Sequence, residues 1–300
     1  MSIFYHVNSI SEVHQFLGIK PPDHPLITII REWPKLDFDF SNTKMTSELF
    51  IISMKGGAGT IGYGRNTYDF DKGTLVFTAP KQALTFDGNL DYTNHEGWTI
   101  LFHPDLIRKS ILGSEIAALS FFEYGVNEAL HVADKEDKIL NDFVRNIEIE
   151  INQNIDKYSQ ELIISNLDSL LKYCQRYYDR QFFTRTNLNK DYVVRFEKYL
   201  EKYFTSENLM LNGIPTVAHF GEALNMSARY LSDLLKVETG RSAKDHIHDF
   251  IIEKAKTLLL GSKTTVSEVA YGLGFDYPQH FTKLFKQKTG LNPTDFRTVN

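Results

Sequence analysis

A segment near the C-terminus of this chain occurs twice. Leu231-Ser-Asp-Leu-Leu-Lys-Val-Glu-Thr-Gly240 aligns with Phe281-Thr-Lys-Leu-Phe-Lys-Gln-Lys-Thr-Gly290 at an offset of 50, and Thr216-Val217 aligns with Thr265-Val266 at an offset of 49. The second copy therefore carries one extra residue near its central turn. Such a duplication constrains the fold strongly, because both copies must form the same supersecondary unit.

Each copy has the same grammar. Thr216 or Thr265 can cap a short helix, and small residues (Ala218 and Gly221; Ser267 and Ala270) permit close helix packing. Leu224 and Leu273 end that helix, and Asn225-Met226 or Gly274-Phe275 makes a turn. Ser227 or Asp276 can then cap a second helix, which runs to Thr239-Gly240 or Thr289-Gly290. Glycine there suits the left-handed position after the last helical turn. Two short helices across a tight turn form the helix-turn-helix pattern.

A helix fits the major groove of DNA, and its N-terminal half presents side chains to base edges. On the second helix of copy one, Leu231, Leu234 and Leu235 make the packing face, leaving Arg229, Ser232, Asp233 and Lys236 outside it. In copy two, Phe281, Leu284 and Phe285 pack, leaving Gln279, His280, Lys283 and Lys286. Together with Ser227 these are the candidate DNA-binding residues. The alternative is a pair of αα-hairpins packed for stability alone, since helix-turn-helix geometry also occurs without DNA. Duplication with donor-rich outer faces favours reading.

The segments TVAHFGEALNMSARYLSDLLKVETG, HDFIIEKAKTLLL and VSEVAYGLGFDYPQHFTKLFKQKTGLNPTDFR resemble the DNA-binding domain of AraC/XylS-type regulators, over about Asp191–Arg297. The resemblance implies a long helix, about Ala243–Leu260, joining the two units. It also implies reading helices in successive major grooves, about one turn (~34 Å) apart. By family position the base readers are Arg229, Ser232 and Asp233 in copy one, and Gln279 and Lys283 in copy two. Three residues depart from the family pattern. Asp233 stands where a basic residue is common, so it accepts from cytosine N4 or forms a salt bridge. Pro278 sits in a first turn, where its missing N–H is harmless but no base can be hydrogen-bonded. Ile251 replaces a frequent arginine, which removes one phosphate contact.

The remainder reads differently. Leu26–Arg31, Glu48–Lys55, Gly73–Ala79 and Gly97–His103 are short candidate strands broken by Gly, Pro, Asn and Asp. Ile139, Leu140, Phe143, Val144, Ile147 and Ile151 recur at threes and fours, as do Leu162, Ile163, Leu167, Leu170 and Leu171. They predict helices over about 137–155 and 159–178. The polar stretch Tyr178–Lys190 reads as the interdomain linker. A further amphipathic helix puts Tyr192, Val193, Phe196, Tyr199, Leu200, Tyr203 and Phe204 on one face. The family resemblance, joined to this strand pattern, sets the expected fold class. It is α+β: an N-terminal cupin-like β-barrel with a helical segment, then an all-α domain with two helix-turn-helix units. The domains would be a sensor over 1–135, a helical dimerisation or linker segment over 136–180, and the reading domain over 191–300.

Site chemistry in the first part is sparse. Tyr63, Tyr68, Tyr92 and Trp98 either line an apolar ligand pocket or pack the core. His95 and His103 are isolated, and His246 and His248 fall on different faces of a helix, so no metal site is expected. Gly57-Ala-Gly59-Thr-Ile-Gly62 matches GxGxxG formally. The next residues, Tyr63-Gly64-Arg65-Asn66-Thr67, read as turn or strand, with no helix to hold a pyrophosphate. Cys174 lies on an apolar helical stripe and reads as buried packing rather than a reactive thiol.

Charge and composition set outer bounds. The chain of 300 residues carries a net charge of −5, yet Asp191–Asn300 holds 14 basic against 13 acidic residues. Charge alone does not point to DNA. One cysteine, no signal-peptide pattern and no long apolar run place the chain in the cytoplasm. The expected function is a sequence-specific transcription regulator controlled by a small-molecule effector in the barrel. Double-stranded DNA is its partner and it forms a homodimer, with no membrane, cofactor or catalysis. The competing reading is a small-molecule-binding or catalytic cupin whose helical appendage does not read DNA.

Overall fold

The computed structural model describes residues 3–34, 43–56, 59–63, 66–70, 73–86, 96–125, 128–153, 156–184, 186–205 and 208–299. The chain divides into two compact units, Met1–Gln181 and Phe182–Asn300.

The first unit carries the strands β1 (Ile3–Val7), β2 (Ile27–Ile30), β3 (Thr43–Ser47), β4 (Phe50–Gly56), β5 (Gly59–Tyr63), β6 (Asn66–Phe70), β7 (Thr74–Thr78), β8 (Leu84–Phe86), β9 (Glu96–Phe102) and β10 (Leu130–His131). Helix α1 (Ile10–Leu17) follows β1, and α2 (Ile111–Glu115) follows β9. The four strands expected from the sequence are β2, β4, β7 and β9. They form one antiparallel sheet of order β10-β7-β4-β9-β2. Its register pairs Met54 with Leu75 and Trp98, and Ile52 with Phe77 and Ile100. Strand periodicity puts all six on one face, and each is buried. Phe121, Phe122 and Tyr178 close over that face: Phe77 meets Phe121 in a tilted contact at 4.5 Å, and Phe121 stacks on Tyr178 at 5.5 Å.

The barrel expectation is corrected. The described strands form open sheets: β2 and β10 are the edges of the five-stranded one, and β1-β3-β8 make a second. Closure would need an edge-to-edge ladder, and none is present among the described residues. The glycine-rich segment runs into the β5–β6 hairpin, pairing Gly59 with Phe70 through Tyr63 with Asn66. No helix start follows it. Tyr63 lies in β5 and Tyr68 in β6, whereas Tyr92 and His95 lie outside the described residues.

Helix α3 (Asp134–Asn152) buries Leu140, Val144, Ile147 and Ile151, the residues that predicted it. Helix α4 (Ser159–Thr184) buries Ile163, Leu167, Leu170, Leu171 and a fully enclosed Cys174, whose thiol is pushed well above its ordinary range by desolvation. The two units divide within the stretch 178–190 expected as the linker, and helices run up to it from both sides: α4 reaches Thr184, and α5 spans Thr186–Thr205. Two polar side chains of the stretch, Gln181 and Asn189, are buried with partners. Gln181 accepts from the His131 N–H at 2.9 Å, and Asn189 donates to the Phe182 carbonyl at 2.9 Å.

The second unit continues with α6 (Asn208–Asn212), α7 (Val217–Leu224), α8 (Ala228–Thr239), α9 (Ala243–Gly261), α10 (Val266–Gly272), α11 (Pro278–Thr289) and α12 (Pro293–Val299). One apolar core joins them, including Phe196, Leu209, Phe220, Leu231, Ile251, Val269 and Phe281, with Phe296 of α12 packed against it. On α5, Phe196, Leu200 and Tyr203 are buried, but Tyr199 is exposed and does not belong to the inward face. Among the described residues no helix is long and apolar enough to cross a membrane.

Candidate nucleic-acid interface

The first hairpin, α7–α8, is held by short-range bonds. Thr216 caps α7, its hydroxyl accepting from the His219 N–H at 3.2 Å. Gly221 is buried where a Cβ would lie 2.6 Å from the Met226 carbonyl oxygen, so the turn closes directly on the helix. Asn225 supplies the left-handed residue (φ 56°) that ends α7. Ser227 caps α8 by accepting from the Tyr230 N–H at 3.1 Å. The helix buries Tyr230, Leu231, Leu234 and Leu235 and stops at Gly240 (φ 75°).

The second hairpin, α10–α11, repeats this with substitutions. Thr265 and Glu268 make a reciprocal capping box, with Thr265 N–H donating to Glu268 at 2.6 Å and Glu268 N–H to the Thr265 hydroxyl at 3.2 Å. The bond from the Thr265 backbone, chiefly, holds the Glu268 carboxyl below its ordinary range. Gly274 turns the chain at φ 84°. Helix α11 buries Phe281 and Phe285 and ends at Gly290 (φ 80°). The small residues divide: Gly221 and Ala270 are buried, while Ala218 and Ser267 are exposed. Asp276 is not the cap of α11. Tyr277 stands there without a side-chain bond, because Pro278 occupies the first helical position. The extra residue of copy two is thus spent in the turn.

The candidate readers sort by environment. Arg229, Lys236, Gln279, His280, Lys283 and Lys286 are exposed. On each helix they lie opposite the buried side chains, which the 3.6-residue period requires. Ser227 and Ser232 are half-buried and already engaged. The first is the α8 cap, and the second accepts the Ala243 N–H at 3.4 Å, facing the start of α9. Asp233 is half-buried, and its carboxylate lies 3.5 Å from Arg229 Nε. Trp98 belongs to the first unit. It is 2 % exposed on the packed face of the sheet, with no hydrogen-bond partner for its indole N–H.

Helix α9 is the spine of this unit, at the place and length expected for the joining helix. Ile251, expected to remove a phosphate contact, is completely buried, so that position is part of the core. Both hairpins are tied to the first half of α9. After α8, Thr239 donates to the Leu235 carbonyl at 2.7 Å, which leaves His246 to supply the N–H of their 2.7 Å bond. Burial lowers the His246 pKa and favours that neutral ring. Arg241 donates to Asp249 at 3.1 Å, and Lys288 of α11 reaches the other oxygen of Asp249 at 2.9 Å. Bonding to Asp249 is the main cause that raises the Lys288 ammonium pKa. Arg297 of α12 closes the far end of α9, donating to the Leu259 carbonyl at 2.9 Å and the Thr264 carbonyl at 2.8 Å. Sequence reasoning missed these ties, whose partners lie on different elements. Among the described residues no group of three or more His, Cys, Asp or Glu is placed to hold a metal ion.

What this geometry offers is two capped helices, each presenting exposed donors on its outer face and fixed to a common third helix. A family model described as a helix-turn-helix domain matches residues 220–298. The chain is 31 % identical over 93 residues to an uncharacterized HTH-type transcriptional regulator, YobQ, of Bacillus subtilis, covering 31 % of this chain and 36 % of that one. It is 33 % identical over 76 residues to the HTH-type transcriptional activator RhaS of Escherichia coli, covering 25 % and 27 %. Among solved structures, the C-terminal domain of AraT, a response regulator from Geobacillus stearothermophilus, is 30 % identical over 36 % of this chain and 85 % of that one, with a TM-score of 0.33. The chain thus spans about a third of the length of the curated relatives it matches. The family model falls on the second unit and identifies residues 220–298 as a helix-turn-helix domain, similar to those of AraC-type regulators.

Proposed function

We propose that the chain is a sequence-specific transcription regulator that reads double-stranded DNA with α8 and α11, under control of its first unit. The observation that carries this is the repeated presentation: Arg229 and Lys236 on one reading helix, Gln279, Lys283 and Lys286 on the other, all exposed. Hairpins packed for stability alone have no need of two such faces. In this reading the first unit binds a small-molecule effector, with Tyr63, Tyr68, Tyr92 and Trp98 as the candidate aromatic lining. Helices α3 and α4 serve a second copy of the chain, which the exposed Ile139, Ile149, Tyr158 and Leu162 support. The effector acts by binding the DNA-competent and incompetent states with different affinity.

The test is selection of bound duplexes from a random library with the full-length chain. A motif with two sub-sites about ten base pairs apart is the expected result. A well-folded chain that recovers no motif at moderate salt overturns the reading.

A further inference from the structure

Arg229 occupies the second position of α8, two residues after its cap Ser227. The aligned N–H groups there carry partial positive charge, so a cation at this end works against the helix dipole. Its partner Asp233 follows four residues later. Basic before acidic is the weaker order for such a pair. Neither residue is placed to stabilise the helix that carries it. Yet the two face each other: Arg229 Nε lies 3.5 Å from Asp233 Oδ2, with side chains 43 % and 24 % exposed.

The contact uses the Nε side of the guanidinium. The two terminal amino groups stay available, and their spacing matches the O6 and N7 acceptors of guanine. A free arginine samples many orientations, and a carboxylate at its Nε side restricts them before any base arrives. We propose, on the DNA-reading function above, that Arg229 reads a guanine in the sub-site entered by α8. Asp233 is then a positioning residue that orients the guanidinium and makes no base contact of its own. Copy two has no counterpart to this pair. Gln279 and Lys283 stand at the matching positions, and a glutamine amide suits adenine N6 and N7. The two sub-sites are therefore unlike in sequence, which gives a bound chain a direction on the DNA.

The experiment repeats the library selection with the full-length chain and the variants Arg229→Ala, Arg229→Lys and Asp233→Asn. The wild type should show one guanine column in the first sub-site, discriminating about five- to a hundredfold. Arg229→Ala should flatten that column and leave the second sub-site intact. Arg229→Lys keeps the charge without the fork, so it should weaken the column while the salt dependence of binding is retained. Asp233→Asn should keep guanine as the preferred base with its preference reduced a few-fold. Loss or change of a different column in Asp233→Asn means that Asp233 itself contacts a base. Equal weakening of all sequences by Arg229→Ala, with a shallower salt slope, means a phosphate contact. Either result overturns the assignment while DNA reading stands; a wild type with no motif overturns both.

Discussion

The two hairpins share a plan and differ in how each is held. Copy one packs an aliphatic helix face, Leu231, Leu234 and Leu235, and leans on α5 through Phe196 against Phe220 at 5.1 Å. Copy two adds a run of aromatics along its second helix: Phe275 on Phe281 at 5.4 Å, Phe281 on Phe285 at 5.6 Å, and Phe285 on Phe296 of α12 at 5.3 Å. Their outer faces diverge too. Copy one sets the carboxylate of Asp233 beside its exposed cations, whereas α11 presents Gln279, His280, Lys283 and Lys286. The backbone hairpin is preserved where caps and turns demand it, and the contents of each face are free to change. Stability is therefore shared through one core, while the exposed face belongs to each hairpin separately.

Packing gives the largest expected effect. Phe281→Ala should cost about 3–5 kcal/mol and Leu231→Ala about 2–5 kcal/mol, because each leaves a cavity in a closed core. Both tryptophans, Trp33 and Trp98, belong to the first unit, so their fluorescence does not report on the second. Denaturation followed by hydrogen exchange across α9 does. If one core serves both hairpins, each substitution should lower protection along the whole of α9. Loss confined to the half beside the mutated hairpin would show two separate cores instead.

Much of this was legible in the sequence, and what was not has a common cause. Caps, turns and glycine stops were readable because their partners lie within four residues: Thr216 with His219, Ser227 with Tyr230. The sheet strands were readable from alternation, and α9 from the family resemblance. The units do divide within 178–190, but the burial of Gln181 and Asn189 there was not readable, because their partners lie on other elements. Ser232 looked available to DNA for the same reason; its Ala243 bond depends on how α9 docks. Asp276 looked like a cap until Pro278 fixed where the helix starts. Barrel closure depends on edge pairing, which strand patterns do not encode.

Recognition comes next in size. Lys283→Ala should cost about 1–3 kcal/mol on the preferred sequence and relax one column, if Lys283 forks to a base edge. Lys236 lies about two helical turns farther from the start of its helix than Arg229, so Lys236→Ala should act on phosphate. It should weaken all sequences alike and reduce the salt slope by about one. Affinity measured on preferred and random duplexes at several salt concentrations separates the two. Equal, sequence-independent losses would show that copy two also binds chiefly through the backbone.

The smallest effect is the sharpest test of the shared plan, because it concerns one position in the two copies. Ser227 and Tyr277 are both caps with extended backbone, yet only Ser227 accepts a helix N–H with its side chain; at Tyr277 the backbone carbonyl takes the His280 N–H at 3.0 Å. Ser227→Ala should cost about 1 kcal/mol, within the usual 0.5–2 kcal/mol for a lost cap. Tyr277→Ser should do the reverse. Tyr277 is exposed, so removing its ring gives up little packing, although its ring contact with His280 at 5.5 Å is lost. Pro278 at the next position has no N–H to satisfy, and the new hydroxyl would reach the first-turn N–H groups beyond it, sharing that of His280 with the carbonyl at 277. Stabilisation of a few tenths to about 1 kcal/mol is expected, read from α11 protection. A Tyr277→Ser chain that is less stable would mean that the tyrosine holds the turn through its ring. The absent cap would then be a substitution of one device for another, and not a gap in copy two.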